Sequence, residues 1–258
     1  MMKMGTIKVM KQGEVTVVEL NRPESLNAMN VEMLNSLAEE LQEIAKSEAK
    51  VVVLKGSGNA FSAGGDIKTM LQSEEGNFDE VMDTIATIIT TLYTMPKVTI
   101  SAIHGAAAGL GLSVALASDI VIAHSSAKLA MNFIKIGLVP DGGGHFFMEK
   151  RLGEVKAKQM IWEGKTVSAQ TALEMGLVDR VVEDNVEEAI MKRVSAILQS
   201  PLQAMLETKE IYTKTSLSRL QQILELEKNA QQRMRKSADH QEGIQAFLEK
   251  RMPVFSGK

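Results

Sequence analysis

The sequence contains no cysteine. That excludes disulfides and thiolate chemistry, and it fits a reducing compartment. No apolar run approaches the length of a membrane span. The first residues, Met1-Met2-Lys3-Met4-Gly5, lack the apolar centre of a secretory signal, so the expected location is cytoplasmic, with no membrane partner. Basic residues are not in excess: 29 Lys and Arg face 32 Asp and Glu, for a net charge of −3. No overall basic field directs the chain to nucleic acid. No Gly-x-Gly-x-x-Gly opens a helix and no Gly-Lys-Ser/Thr follows the glycines, so the nucleotide fingerprints are missing. His124, His145 and His240 show no metal-ligand spacing, and no metal is expected. What remains is an ordinary globular composition, 258 residues with 45% hydrophobic and 24% charged. This is enough for one large domain with a sizeable core, or one domain and an appendage.

Two glycine-rich stretches organise the reading. The first is Ile103-His104-Gly105-Ala106-Ala107-Ala108-Gly109-Leu110-Gly111-Leu112, which follows the β-branched run Val98-Thr99-Ile100. It predicts a buried strand, a tight turn and a helix whose start lies against another backbone, where a larger Cβ would block the approach. The second, Ala60-Phe61-Ser62-Ala63-Gly64-Gly65-Asp66-Ile67-Lys68, predicts a similar opening. The first N–H groups of a helix lack internal partners and sit at its positive end. Two such sources facing one point would form an oxyanion hole. Taken alone, either stretch reads first as a close-packing turn.

In chain order, Ile7–Met10 and Val15–Leu20 predict a hairpin around Gln12-Gly13. Asn30 is a candidate N-cap for a helix with the stripe Val31, Leu34, Leu37, Ala38, Leu41, Ile44 and Ala45. Val51–Leu54, Val98–Ile103, Ile120–Ala123 and Leu129–Met131 read as strands. A short helix is expected from Asp66 to about Leu71, a polar lid-like stretch from Ser73 to Asn77, and a helix over Val81–Leu92. The breaker-rich Leu138-Val139-Pro140-Asp141-Gly142-Gly143-Gly144 precedes a helix starting near His145. Beyond Gly153 the pattern is almost wholly helical, with strand character only near Val181-Val182. Helices are expected from Ser168 to Gly176, over Val186–Leu198, from near Ser216, and over Ala238–Lys250. Alternating strands and helices give an α/β class. The terminal helices and the apolar tail through Phe255 suggest docking on a second copy, hence a homo-oligomer. The expected division is a core of residues 1–195 and a helical oligomerisation region of 196–258.

Together these stretches resemble the crotonase, or enoyl-CoA hydratase/isomerase, superfamily over nearly the whole chain. The marks are Asn21-Arg22-Pro23 with Leu26-Asn27-Ala28, Phe61 to Ile67, His104 to Gly111, Ser118-Asp119-Ile120, Gly137 to Gly143, and the late Glu242-Gly243 with Ala246 to Arg251, Pro253 and Phe255. The resemblance implies ββα turns wound into two packed sheets, with C-terminal helices that build trimers, often paired into hexamers. It implies an acyl-CoA thioester as substrate and no cofactor. It implies a thioester oxygen held by the backbone N–H groups of Gly65 and Leu110. By the same resemblance Ser25, Leu26, Ala63, Asp66, Ile67 and Lys68 approach the substrate, and Lys250 approaches the CoA of a neighbouring subunit.

Hydratases of the family carry two glutamates that handle water. Their positions here are Ser113 and Phe133, neither of which supplies a carboxylate base. Asp141, in Pro140-Asp141-Gly142-Gly143, stands where the family's double-bond isomerases carry an acid. One carboxylate suffices to move a proton between two carbons, and apolar neighbours such as Phe133 are expected to raise its pKa. The plain alternative is that Asp141 caps the following helix. The favoured expectation is an enoyl-CoA isomerase. The competing ones are a hydratase or other lyase with Ser113 positioning water, and a non-catalytic acyl-CoA-binding oligomer. Phe61, Met70, Phe133 and Phe146 are candidates for the acyl pocket. His104, Asp119 and Ser113 or Ser118 show no spacing that would assemble a triad.

Overall fold

The computed structural model describes residues 5–67 and 77–258. Lys68, Met70 and residues 73–76 of the expected lid lie outside that range, as does the expected short helix beyond Ile67. Strands β1 (Ile7–Gln12) and β2 (Val15–Leu20) form the expected antiparallel hairpin, with Gln12 opposite Val15. Helix α1 (Val31–Lys46) is capped by the Asn30 side chain, which accepts from the Met33 N–H at 2.9 Å. It buries Leu34, Leu37, Ala38, Leu41 and Ile44. Its crossover places β3 (Val51–Gly56) parallel to β2, and α2 (Phe78–Thr94) returns the chain to β4 (Val98–Ile103) parallel to β3. Next come β5 (Ala106–Ala108), α3 (Leu110–Leu116), β6 (Ile120–His124) and β7 (Lys128–Ala130). They are followed by α4 (Gly144–Leu152), α5 (Glu154–Glu163), β8 (Thr166–Ser168), α6 (Ala169–Met175) and β9 (Arg180–Val182). Helices α7 (Val186–Leu198), α8 (Leu202–Met234) and α9 (Ala238–Glu249) complete the described chain.

The larger sheet has six strands in the order β1-β2-β3-β4-β6-β9, parallel except for the hairpin; the smaller has three, β5-β7-β8. This is the α/β, two-sheet architecture anticipated. Parallel strands are buried on both faces, which is why they read as continuous apolar runs. One face of the large sheet packs into the main core with α1 to α4. The other face, through Val51, Val53, Ile100 and Ile122, receives Ile190, Val194 and Ile197 of α7. Among the described residues, no helix is long and apolar enough to cross a membrane.

Two expectations about the second half are corrected. Strand β8 pairs antiparallel with β7 through Thr166, Val167 and Ser168, a run too short to show alternation. The helix expected from near Ser216 begins at Leu202 and runs 33 residues. Its first turns pack Leu202, Met205 and Leu206 against the core on the α7 side of the large sheet, and Lys209 Nζ reaches Lys97 O and Asp119 Oδ2, each at 2.8 Å. The anticipated boundary after residue 195 falls inside α7.

The two glycine-rich stretches are joined by backbone pairing of Phe61 and Ser62 with His104, Ala106 and Ala108, and the second stretch is anchored by one buried side chain. Asn27, fully buried with φ 54°, accepts from Arg22 N at 2.9 Å and donates to Ser57 O and Ala60 O at 2.9 and 2.7 Å. Ser62 Oγ donates to Asn27 O at 2.8 Å, and Ser62 bridges Ala107. Asn27→Ala leaves those carbonyls unpaired and places alanine in a left-handed conformation. We expect a loss of about 3 kcal/mol of stability, read as a lowered midpoint in urea unfolding. A loss below about 1 kcal/mol would remove Asn27 as the fastener.

Candidate active site

Gly64 (φ +100°) and Gly109 (φ +51°) make the two turns possible. A Cβ on Gly64 would lie 2.7 Å from Ala108 O and 3.5 Å from Leu110 N, so the second turn sits directly against the first. Met29 N donates to Gly64 O and Asp66 N donates to Met29 O, at 2.8 and 3.0 Å. The Gly65 N–H between them is left unused. Leu110 is the first residue of α3, so its N–H has no intrahelical partner. None of the turn and loop hydrogen bonds among the described residues uses either N–H.

Both residues line one cavity of about 70 Å³, together with Asp141. Leu34 of α1 and Val81, Met82 and Ile85 of α2 supply its apolar wall; Gln231 and Arg235 close the side facing α8.

Asp141 is held by its backbone. Its carbonyl accepts from Ser113 Oγ at 2.8 Å and from Gly144 N at 3.1 Å. In its side chain, Oδ2 receives a long contact from Gln231 Nε2 at 3.4 Å, and Oδ1 is shut off from solvent with no hydrogen-bond partner. Burial pushes the carboxyl up from its ordinary 3.8 to about 8; the nearby Glu227 charge adds to this and Arg235 opposes it.

Asp141 does not cap α4. Gly143 N and His145 N donate instead to the Glu227 carboxylate, at 2.7 and 3.0 Å. Glu227 and Gln231 were not foreseen from the sequence. A signal existed: Leu220, Leu224, Glu227 and Gln231 are all buried on α8, so the two polar residues continue the apolar stripe at helical spacing.

Comparison with known proteins identifies the family. The sequence profile described as Enoyl-CoA hydratase/isomerase matches residues 10–258. The chain belongs to the enoyl-CoA hydratase/isomerase family. It is 52% identical to the Bacillus subtilis protein YhaR, named for an enoyl-CoA hydratase/isomerase, with 94% of this chain and 96% of that one covered. It is 34% identical to the 1,2-epoxyphenylacetyl-CoA isomerase of Escherichia coli, over 95% of each chain. Among solved structures, an enoyl-CoA hydratase from Mycobacterium avium subsp. paratuberculosis superposes with a TM-score of 0.90 at 32% identity, covering 98% of this chain and all of that one.

For a member of this enzyme family, the other expected site residues fall in three places. Asp66 lines the cavity and is ion-paired with Arg22 at 3.0 Å, and Ile67 beside it is half-buried. Leu26 and Ala63 are exposed and joined by an Ala63 N to Leu26 O bond of 2.9 Å, with Ser25 in the adjoining 3-10 turn. The rest stand away from the cavity. Ser113 is fully buried and spends its hydroxyl on the Asp141 carbonyl, so it anchors the turn instead of facing the cavity. Phe133 lies against Gly109 and is absent from the lining; α2 supplies the dry wall attributed to it. Phe61 and Phe146 are core residues, replaced in the lining by Phe78 and Met82. Lys250 is exposed at the end of α9. His104 bonds to Gly58 O at 3.0 Å and Asp119 serves Thr99 and Lys209, so no triad assembles. Among the described residues no cluster of His, Asp and Glu could hold a metal.

The raised carboxyl fixes a pH dependence of stability. Between about pH 4 and pH 8 the folded chain keeps a proton on Asp141 that the unfolded chain has released. Stability from this group is therefore full at acid pH and lost as pH rises through about 8. Asp141→Asn removes that loss. Its stability relative to wild type should climb by a few kcal/mol from about pH 4 to pH 8 and then level off. Urea titrations at several pH values measure this, and a pH-independent offset would overturn it.

Proposed function

We propose that this enzyme is an enoyl-CoA double-bond isomerase with Asp141 as its only acid–base group. The observation that carries the reading is the unpaired Asp141 Oδ1, in an apolar cavity shared with two unused backbone N–H groups. The ionised carboxylate removes a proton from C2 of a 3-enoyl-CoA. Electron density moves onto the thioester oxygen, which accepts hydrogen bonds from Gly65 N and Leu110 N. The C3–C4 double bond shifts to C2–C3 as the same proton returns to C4. Atoms balance without water, and the reaction needs no cofactor.

Hydration has less support. Asp66, the other carboxylate in the lining, is tied to Arg22, and the Ser113 hydroxyl is already committed. The name of the Escherichia coli relative is that of an isomerase; the name of the mycobacterial neighbour is that of a hydratase. We further propose a trimer or a pair of trimers in the cytoplasm. Val155 and Trp162 on α5 and Phe247 and Leu248 on α9 are exposed apolar residues suited to contact with further copies.

A paired assay on 3-enoyl-CoA and 2-enoyl-CoA tests the chemistry. Conversion of the 3-enoyl to the 2-enoyl form should fall about 10²- to 10⁴-fold in Asp141→Asn with little change in KM. In the wild type it should increase as pH rises through about 8, because only the ionised form can take the proton. Rapid appearance of a hydroxyacyl product would overturn the proposal, and undiminished turnover in Asp141→Asn would dismiss that residue. Sedimentation tests the assembly: a monomer at micromolar concentration would sink it.

A further inference from the structure

The Asp141 turn is held from the opposite side of the sequence. Glu227 is 3% exposed on α8, and its carboxylate accepts from Gly143 N, His145 N and His145 Nδ1 at 2.7, 3.0 and 2.7 Å. One helical turn further on, Gln231 Nε2 donates to Val139 O at 2.5 Å. Ser113 holds the middle of the same turn through Asp141 O. Three side chains thus fasten residues 139–143.

Of these three, Glu227 alone brings a charge. Capping the positive end of α4 gives that charge a local purpose. Yet a neutral acceptor supplied from the turn itself would cap a helix at lower cost than a buried carboxylate. Asn30, Ser168 and Ser237 do this elsewhere in the chain.

We propose that Glu227 is a positioning residue for the proton transfer: it fixes the turn that presents Asp141 and sets a negative charge against the Asp141 carboxyl. This rests on the isomerase reading for its catalytic meaning. Burial is the larger cause of the raised Asp141 carboxyl and the Glu227 charge is the second. Together they make Asp141 a stronger base than an ordinary aspartate, and one that still exchanges a proton near neutral pH.

Among the described residues, other charged groups face this pair from the elements packed around it. Arg235 of α8 opposes Glu227 at Asp141 and lies 5.0 Å from the Phe78 ring. Asp79 and Asp83 of α2 are paired with Lys228, and Asp66 with Arg22. Glu32 of α1 has interactions of its own. His240 of α9 bonds to Ile136 O at 2.7 Å. His145, whose side chain is 41% exposed, is the one histidine bonded to Glu227.

The experiment compares wild type with Glu227→Gln and Glu227→Asp. Carboxyl carbon NMR follows the Asp141 titration without reference to activity, with Asp141→Asn assigning the signal. In Glu227→Gln the Asp141 midpoint should fall by about one pH unit. The acid limb of kcat/KM should move down with it, the high-pH kcat should drop several-fold, and KM should hold. Glu227→Asp, which keeps the charge on a shorter arm, should restore the midpoint while kcat stays low. A folded Glu227→Gln with an unmoved midpoint overturns the proposal. If that variant does not fold, the wild type decides: a Glu227 carboxyl still protonated where Asp141 titrates overturns the proposal, and an ionised one upholds it. If no enoyl-CoA is turned over, the isomerase reading fails and the NMR midpoints still judge Glu227.

Discussion

A carboxyl oxygen closed to water and bonded to nothing is expensive, and the structure around Asp141 is arranged to keep it so. An unsatisfied buried polar group costs a few kcal/mol, and the ionised form costs more. Left to itself the side chain would turn toward solvent or toward the nearest N–H. It does neither, because its backbone is fixed by Ser113 and Gly144, and the N–H groups of the next helix belong to Glu227. The two N–H groups across the cavity are maintained in the same condition. Gly65 and Leu110 are denied protein acceptors by the way Met29 and Gly109 run beside them. The proposed base and oxyanion donors are all left unsatisfied, and a substrate bound as proposed would satisfy them together.

Holding that arrangement is the task of the long helix α8. Lys209 near its start is bound to Asp119, beside β4 and β6, and Arg235 just past its end lines the cavity. At 1.5 Å per residue these points are roughly 40 Å apart. The helix is therefore a strut, spanning from the N-terminal ends of β4 and β6 to the candidate active site. This also explains why its buried face changes character along its length. Leu220 and Leu224 pack into the core; Glu227 and Gln231 reach the catalytic turn.

Elements built from local patterns were readable in the sequence. The Asn30 cap, the α1 stripe and the apolar parallel strands each announce themselves within one segment, and they appear as expected. The resemblance then singled out Gly65, Leu110 and Asp141, which the chain gathers around one cavity. What the sequence hid was contact between distant segments. Glu227 lies 84 residues from Gly143, and nothing local ties the two. Phe133 and Ser113 were given cavity roles by position, yet side-chain direction sends one against Gly109 and the other to a carbonyl. The early start of α8 was hidden because its short stripe of Leu202, Met205 and Leu206 is separated from Leu220 and Leu224 by a largely polar stretch.

The proposed chemistry rests on counting acid–base groups in a cavity with an apolar wall. Adding water across a double bond needs a site that holds the water, a base for it and an acid for the carbon. Here α1 and α2 supply an apolar wall, and one of the two carboxylates among the described lining residues is neutralised by an arginine. Moving a proton along the substrate needs a single group that is basic enough to take it and acidic enough to return it. A carboxyl held near pH 8 meets both demands. On the proposed reading the burial of Asp141 Oδ1 helps, because it keeps water from competing for the proton. On that proposed reading, the features that make this site poor for hydration are the ones that suit it to isomerisation.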